Sequence, residues 1–517
     1  MKRKLTALAV LALSHTLATA APFKLEEASI SRIEQALKSK EISCEALVSA
    51  YIARIDAYDQ KGPALNAVIT LNQSAREQAV AKDAEFRKTG KLGGPLHCIP
   101  VAVKDNYNTT DLPTTGGNEL FKGAIPATES TVTRKLREAG AIILAKTNMH
   151  EFALSGTTVS SIAGQTKNPY DLTRTPGGSS GGTGVAVATS MAAVGLGSDT
   201  VNSIRSPASA NSLIGFRSTK GLVSRAGVMP VSETQDVVGP LTRTVADAAA
   251  MLDVIAGYDA LDPASARGVG RTPKSFRTYL DPKGLAGARI GVLKSFAGTK
   301  PEHEEVNAAM AYAVSAFKKA GATVVEIDDP SFDTGAINSD YDVQKWEFKT
   351  QFNDYLKAYG SNAPVRDLSS VLASGKYHKP SLEKFLTASD ALDTPAQDKD
   401  YLARLARIDG LRDRWLGRMA ENRVDVIVYP LQKRLVVPIG ELNQADRNGI
   451  LAAMTGFPAV TVPIGFSKPA PNAPLGVPIG MDIMGRPFDD GLLIKTAYAF
   501  EQATKVRRAP QSTPALK

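Results

Sequence analysis

Cysteine, histidine and tryptophan are scarce in this chain of 517 residues, with two, five and two copies, and these shortages exclude several classes of function. Cys44 and Cys98 can build neither a disulfide framework nor a four-cysteine metal site. Cys44 falls on an expected helix and Cys98 just before an expected strand, so they read as two separate thiols in packed surroundings. A bond between them is the alternative that an exported chain leaves open. Beyond residue 20 the histidines are His97, His150, His303 and His378, with no H-E-x-x-H and no cysteine pair at ligand spacing. Neither a metal nor another cofactor is expected. No blocks of like charge occur, and aromatics do not interleave with the scattered Lys and Arg, which argues against a nucleic-acid surface. No stretch after residue 20 is long and apolar enough to span a bilayer.

The first residues do carry a pattern. Lys2-Arg3-Lys4, the apolar run Leu5 to Leu13 and the small-residue motif Ala18-Thr19-Ala20 predict a secretory signal over residues 1–20, with cleavage after Ala20. The mature chain is then periplasmic or secreted and starts near Ala21. Without the three leader cations the formal charge drops from +9 to +6, a surplus that serves solubility. Residues 21–517 show no linker and no internal repeat, so one large α/β unit is expected.

Apolar spacing predicts helices within Ser29 to Tyr58, Ser74 to Thr89, Ser130 to Ala139, Glu302 to Ala320 and Gly491 to Ala503. Strands are expected over Asn66 to Asn72, Ile99 to Val103, Ala141 to Ala145, Arg289 to Leu293, Thr323 to Ile327, Asp425 to Tyr429 and Pro458 to Pro463. The alternation points to crossover units and a largely parallel sheet. Residues from about 331 to 423 read as a helical, substrate-shaping region in which Trp346, Phe348, Phe352 and Tyr355 lie close together as core.

The stretch Gly177 to Arg205 holds the most chemistry. Gly177-Gly178-Ser179-Ser180-Gly181-Gly182 leads into a run of small residues, and Asp199-Thr200-Val201-Asn202-Ser203-Ile204-Arg205 closes it. A phosphate loop would need a lysine after the glycines, and none is there. An α/β-hydrolase esterase using Ser179 fits G-x-S-x-G, with His303 or His378 downstream, but Thr173-Arg174-Thr175-Pro176 supplies no preceding strand. Both histidines sit among charged residues and are expected to be exposed. Serine with a lysine base remains, which requires a lysine kept neutral by burial. Lys104, at the end of Ile99 to Val103, is the first candidate, and Lys146, after Ile142 to Ala145, is the second.

Ile99-Pro-Val-Ala-Val-Lys104-Asp-Asn, Ala145-Lys-Thr-Asn-Met149, Gly164-Gln-Thr-Lys-Asn-Pro169, Thr175 to Gly182 and Ser203-Ile-Arg205 occur in that order. Together they resemble the amidase signature family over nearly the whole mature chain, including Gly456-Phe-Pro-Ala459 near its end. The resemblance implies an α/β/α domain with a twisted mixed β-sheet flanked by helices on both faces. It also implies a triad in which Ser203 is the nucleophile, Ser179 the bridging serine and Lys104 the base. The separations of 75 residues from Lys104 to Ser179 and 24 from Ser179 to Ser203 fit that family. It further implies a cis peptide before Ser179 and an oxyanion hole of backbone N–H groups from Thr200, Val201, Asn202 and Ser203. Ser180, Asp199 and Arg205 are then supporting residues, the last two as an ion pair.

Many members place Gly-Gly before the nucleophile, where this chain has Val201-Asn202. Backbone donors survive that change, but glycine's conformational freedom does not. The implied activity is hydrolysis of a C–N amide bond through an acyl-enzyme on Ser203, with water as second substrate. A catalytically impaired binding protein on the same scaffold is the alternative that Val201-Asn202 raises. The glutaminase subunit of tRNA-dependent amidotransferases shares the triad, but an export signal argues against that role. Trp346-Glu-Phe-Lys349 and Val365-Arg-Asp-Leu368 resemble the middle region of bacterial peptide amidases, which implies C-terminally amidated peptides or similar linear amides as substrates.

Overall fold

Apolar runs long enough to be buried on both sides form the centre of the molecule, whose computed structural model describes residues 23–516. The predicted leader, residues 1–20, lies outside the described residues. The strands are β1 (Val68–Leu71), β2 (Pro100–Lys104), β3 (Ile142–Thr147), the short pair β4 (Val159–Ser160) and β5 (Gly164–Gln165), and β6 (Val194–Asp199). They continue with β7 (Ile214–Arg217), β8 (Val237–Thr242), β9 (Arg289–Leu293), β10 (Thr323–Ile327), β11 (Val426–Pro430), β12 (Ala459–Phe466) and β13 (Pro478–Met484). Eleven of them form one sheet in the order β1-β3-β2-β6-β8-β7-β12-β13-β11-β9-β10. Every residue of β2, β3, β6, β8, β11 and β13 is buried. Side chains alternate between the two faces of a strand, so both faces of the sheet are covered.

The crossover units read from the sequence are present. β2 and β3 are parallel and joined through the helix Thr131–Glu138, and β9 and β10 are parallel and joined through Glu304–Lys319. The expectation of a largely parallel sheet is nevertheless corrected: four of the ten pairings are parallel and six are antiparallel. Five of those six involve β7, β8 or β13, strands that the sequence pattern does not reveal.

The helix Gly181–Ala188 packs on β2 and β6 and brings the Gly-Ser loop to the middle of the sheet. Its small residues make that approach possible. A Cβ at Gly182 would stand 2.3 Å from the carbonyl oxygen of Asn148 and 2.5 Å from that of Ala67, so any side chain there would push the helix away. The helical region expected at about 331–423 consists of Thr334–Tyr341, Gln344–Tyr359, Leu368–Ser374, Lys379–Asp390 and Lys399–Glu421. Phe348 and Phe352 stack at 5.4 Å, and Phe152 meets Phe352 edge-on at 5.2 Å, so the aromatic group is core and fastens this region to the segment following β3.

The reading of Cys44 and Cys98 as separate thiols is corrected. They form a disulfide, with Cα atoms 5.7 Å apart and a sequence separation of 54 residues. Cys44 opens the helix Cys44–Tyr58, whose apolar face packs in the same core as Cys98, and this brings the two sulfurs together. Closing a loop of this length restricts the unfolded chain, so the Cys44→Ala/Cys98→Ala protein is expected to be less stable by about 2–4 kcal/mol. Chemical denaturation checks this, and equal stability of the two proteins would show that the bond contributes nothing.

Candidate active site

Lys104 ends β2 in the interior of the sheet and is fully buried. Its Nζ donates hydrogen bonds to Ser179 Oγ at 2.7 Å, to Ser198 Oγ at 2.8 Å and to the Ser198 carbonyl at 3.4 Å. No carboxylate forms an ion pair with it among the described residues. Burial pushes its pKa down to about 7, because removal from water penalises the ammonium, while Asp199 and Asp236 offset part of that at a distance. Lys146, the second candidate, is committed elsewhere. It pairs with Asp105 at 3.1 Å and donates to Thr114 Oγ1 and the Pro113 carbonyl. In register Lys104 faces Thr147, so Lys146 points to the other side of the sheet.

Ser179 lies in a loop held on all sides. The Gly178–Ser179 peptide is cis, as the family resemblance implies. The Ser179 carbonyl accepts from the N–H of His150 at 3.0 Å, and Thr158 Oγ1 donates to the Gly177 carbonyl at 2.7 Å. Ser180 joins this loop to the one carrying Ser203. Its N–H donates to the Ser203 carbonyl at 3.2 Å and its hydroxyl to the Ser198 carbonyl at 3.3 Å. The Ser203 hydroxyl itself makes no hydrogen bond to Ser179 or Lys104.

The segment from Thr200 to Ser203 follows β6 and precedes the helix Arg205–Ala210. Its carbonyls are engaged from behind. Gln235 Nε2 donates to Thr200 O at 3.3 Å, Arg205 Nη2 to Val201 O at 2.5 Å, and the Ser206 N–H to Asn202 O at 2.7 Å. The N–H groups of Thr200, Val201, Asn202 and Ser203 find no acceptor among the described residues. Val201 belongs to the same buried apolar cluster as Ile450 and Leu451. The side-chain nitrogen of Asn202 is buried without a partner, and its Cβ presses on Gly449, where an added Cβ would be only 2.5 Å away.

Asp199 and Arg205 form the expected ion pair at 3.2 Å within a larger buried group. Arg217 reaches Asp199 at 2.7 Å, and Arg205 also reaches Asp482 at 2.6 Å. Burial alone would raise the Asp199 carboxyl, but the two arginines hold it down at about 2. The expected exposure of the two histidines is corrected. His303 is buried against Asp446 at 3.3 Å, and His378 is half-buried with Nδ1 at 2.7 Å from Ser381 Oγ. Their charged sequence neighbours misled that expectation, and neither ring is hydrogen-bonded to Ser179. The sequence did not single out Ser198, Arg217, Gln235 or Asp482. A lone charge in each of the apolar runs Leu213 to Arg217 and Ile479 to Met484 was the available signal for two of them.

The Amidase family model matches residues 46–494, most of the chain and all the elements just described. The chain belongs to the amidase signature family. This amidase is a hydrolase that acts on C–N amide bonds. It is similar to the peptide amidase of Stenotrophomonas maltophilia, with 35% identity and a TM-score of 0.86 over 95% of this chain and 99% of that one. A structure of the peptide amidase PAM in complex with the competitive inhibitor chymostatin matches with 34% identity and a TM-score of 0.85, over 95% of this amidase and 100% of that chain. Among curated proteins, a probable amidase of Arabidopsis thaliana is 34% identical over 95% of this amidase and 92% of that protein.

Proposed function

We propose that this amidase is exported and cleaves linear primary amides, C-terminally amidated peptides foremost, through an acyl-enzyme on Ser203. Neutral Lys104 takes the proton of Ser179 across their 2.7 Å contact as Ser179 takes that of Ser203. Ser203 Oγ then attacks the carbonyl carbon, and the four N–H groups from Thr200 to Ser203 receive the negative charge that develops on oxygen. Ser179 returns its proton to the leaving nitrogen, which departs poorly unless protonated. Water completes the cycle by the same route in reverse. The observation that carries this reading is a fully buried lysine, hydrogen-bonded to a serine and unpaired with any carboxylate among the described residues.

The leader pattern of residues 1–20 supports export, as does the disulfide, since such bonds persist in oxidising compartments. Residues 21–517 then act as one unit. A cavity of about 540 Å³ beside Ser198 and Thr200 draws Gln351, Tyr355 and Ala358 from the helical region, which supports a role for that region in substrate choice. The peptide amidase among the relatives supports an amidated peptide as substrate.

The base works only when deprotonated, so kcat/KM is expected to fall as the pH drops through about 7 and to level off roughly a unit above that. A pH profile on any hydrolysed amide tests this. A profile flat from about pH 5.5 to 9, or one governed by a group near the ordinary lysine value of 10.5, would remove Lys104 from the role.

A further inference from the structure

Arg447 sits between β11 and the helix Ile450–Thr455, in a backbone fixed on both sides. The Lys433 N–H donates to the Asp446 carbonyl at 2.8 Å and the Asn448 N–H to the Leu431 carbonyl at 2.9 Å. Asn448 Nδ2 donates to the carbonyls of Phe296 and Pro430, and the Gly449 carbonyl accepts from Arg205 Nη2 at 2.8 Å. The stem of Arg447 is therefore anchored to the same charged group that backs the Ser203 loop. Its guanidinium, half-buried, makes no hydrogen bond and no ion pair among the described residues.

The neighbouring carboxylates have other hydrogen-bonding partners, and Asp342 reaches Arg447 through its charge alone. Asp446 faces His303 at 3.3 Å and Arg434 at 4.0 Å, and Asp342 accepts from the backbone and side-chain nitrogens of Gln344. On the other side Gly156, having no side chain, leaves room for a Cβ at ordinary contact distance. A Cβ there would lie 3.8 Å from Arg447 Nη1 and 4.0 Å from the carbonyl oxygen of Gly178, the residue before Ser179. An anchored guanidinium that is partly removed from water, with the charge of Asp342 nearby but no hydrogen-bond acceptor, has its donors free for a second anionic group. Its planar fork of donors matches a carboxylate with two parallel hydrogen bonds.

We propose that Arg447 is a substrate-binding residue that receives a carboxylate on the acyl part of the amide, so that acidic acyl groups are preferred over neutral isosteres. The inference rests on the proposed hydrolysis of primary amides: ammonia is then the leaving group, and the rest of the substrate is the acyl part.

Calorimetric titration of the Ser203→Ala protein with N-acetyl-glutamic acid α-amide and N-acetyl-glutamine α-amide tests the proposal without turnover. The acidic amide is expected to bind about 10–100-fold tighter, the range for a hydrogen-bonded charge pair. Arg447→Met in the same background is expected to erase the difference and Arg447→Lys to keep part of it, with thermal melting showing that each variant is folded. Equal affinity for the two amides, or a preference that survives Arg447→Met, overturns the assignment. Turnover by the protein with Ser203 intact separates the two readings. A binding preference that depends on Arg447 while neither amide is cleaved supports the carboxylate site and counts against hydrolysis of these amides.

Discussion

Replacing Ser203 by alanine is expected to lower kcat/KM by about 10⁴-fold or more and to leave the fold unchanged, in line with the removal of the proposed nucleophile from a coupled triad. The two halves of that statement have separate grounds. Ser203 is buried in a protein whose other buried hydroxyls are mostly hydrogen-bonded, yet its own hydroxyl bonds to no described residue, so nothing structural is lost with it. Stability should therefore change by no more than about 0.5 kcal/mol, as for substitutions that break no contact. The chemical half rests on the proposed role of Ser203 as nucleophile. With Ser203 gone, Lys104 and Ser179 still form their 2.7 Å contact, but the proposed acyl-enzyme cannot form. A fluorophosphonate is expected to label the native protein and not the variant. Hydrolysis at the native rate by Ser203→Ala would end the assignment. Inertness of both proteins to acylating and phosphonylating probes would favour a binding protein in which Val201-Asn202 has spoiled the oxyanion hole.

The site was more legible in the sequence than the sheet around it, for physical reasons. Its parts are short motifs in which residue type is dictated locally: a lysine at the end of an apolar run, glycines where a helix meets a strand closely, and serines at loop ends. In the structure Lys104 hydrogen-bonds Ser179 and Asp199 pairs with Arg205, whereas the Ser203 hydroxyl bonds to neither Ser179 nor Lys104. Strands are harder to read, because alternation and β-branching mark a strand only while nothing else constrains the residue. β8 is Val-Val-Gly-Pro-Leu-Thr and β13 begins with Pro478 and contains Gly480, so both carry residues that ordinarily signal turns. At Gly480 the reason is contact: a Cβ would come within 2.7 Å of Ser209 in the helix that follows Ser203. The disulfide escaped for a related reason, since the pairing of a helix start with a strand start 54 residues away is a property of packing and not of either segment. Asp482 and Arg217 were invisible as partners because each completes a group whose other members come from distant strands.

That group sets the second large effect. Arg205→Met is expected to lower stability by about 3–5 kcal/mol and to reduce activity sharply in whatever protein remains folded. Arg205 is wholly buried and spends its donors on five acceptors: both oxygens of Asp199, one of Asp482, and the carbonyls of Val201 and Gly449. Methionine fills comparable volume and satisfies none of them. Asp482 would keep only Thr461 Oγ1 as a side-chain partner, and burial already raises its pKa, so it would protonate rather than stay charged and unpaired. Asp199 would keep Arg217 and remain ionised. The loss would therefore fall on Asp482 and on the two carbonyls. The functional consequence follows from the Val201 carbonyl, which Arg205 holds turned away from the site so that the N–H groups beside it stay free. Released, that peptide unit can rotate, and the donors expected to meet the oxyanion lose their alignment. Arg205→Lys distinguishes the contributions, because a single ammonium can meet one carboxylate but cannot also reach both carbonyls. It is expected to recover part of the stability and little of the activity. Chemical denaturation together with kcat on the folded fraction checks both, and recovery of full activity by lysine would show that the carbonyl contacts do not shape the site.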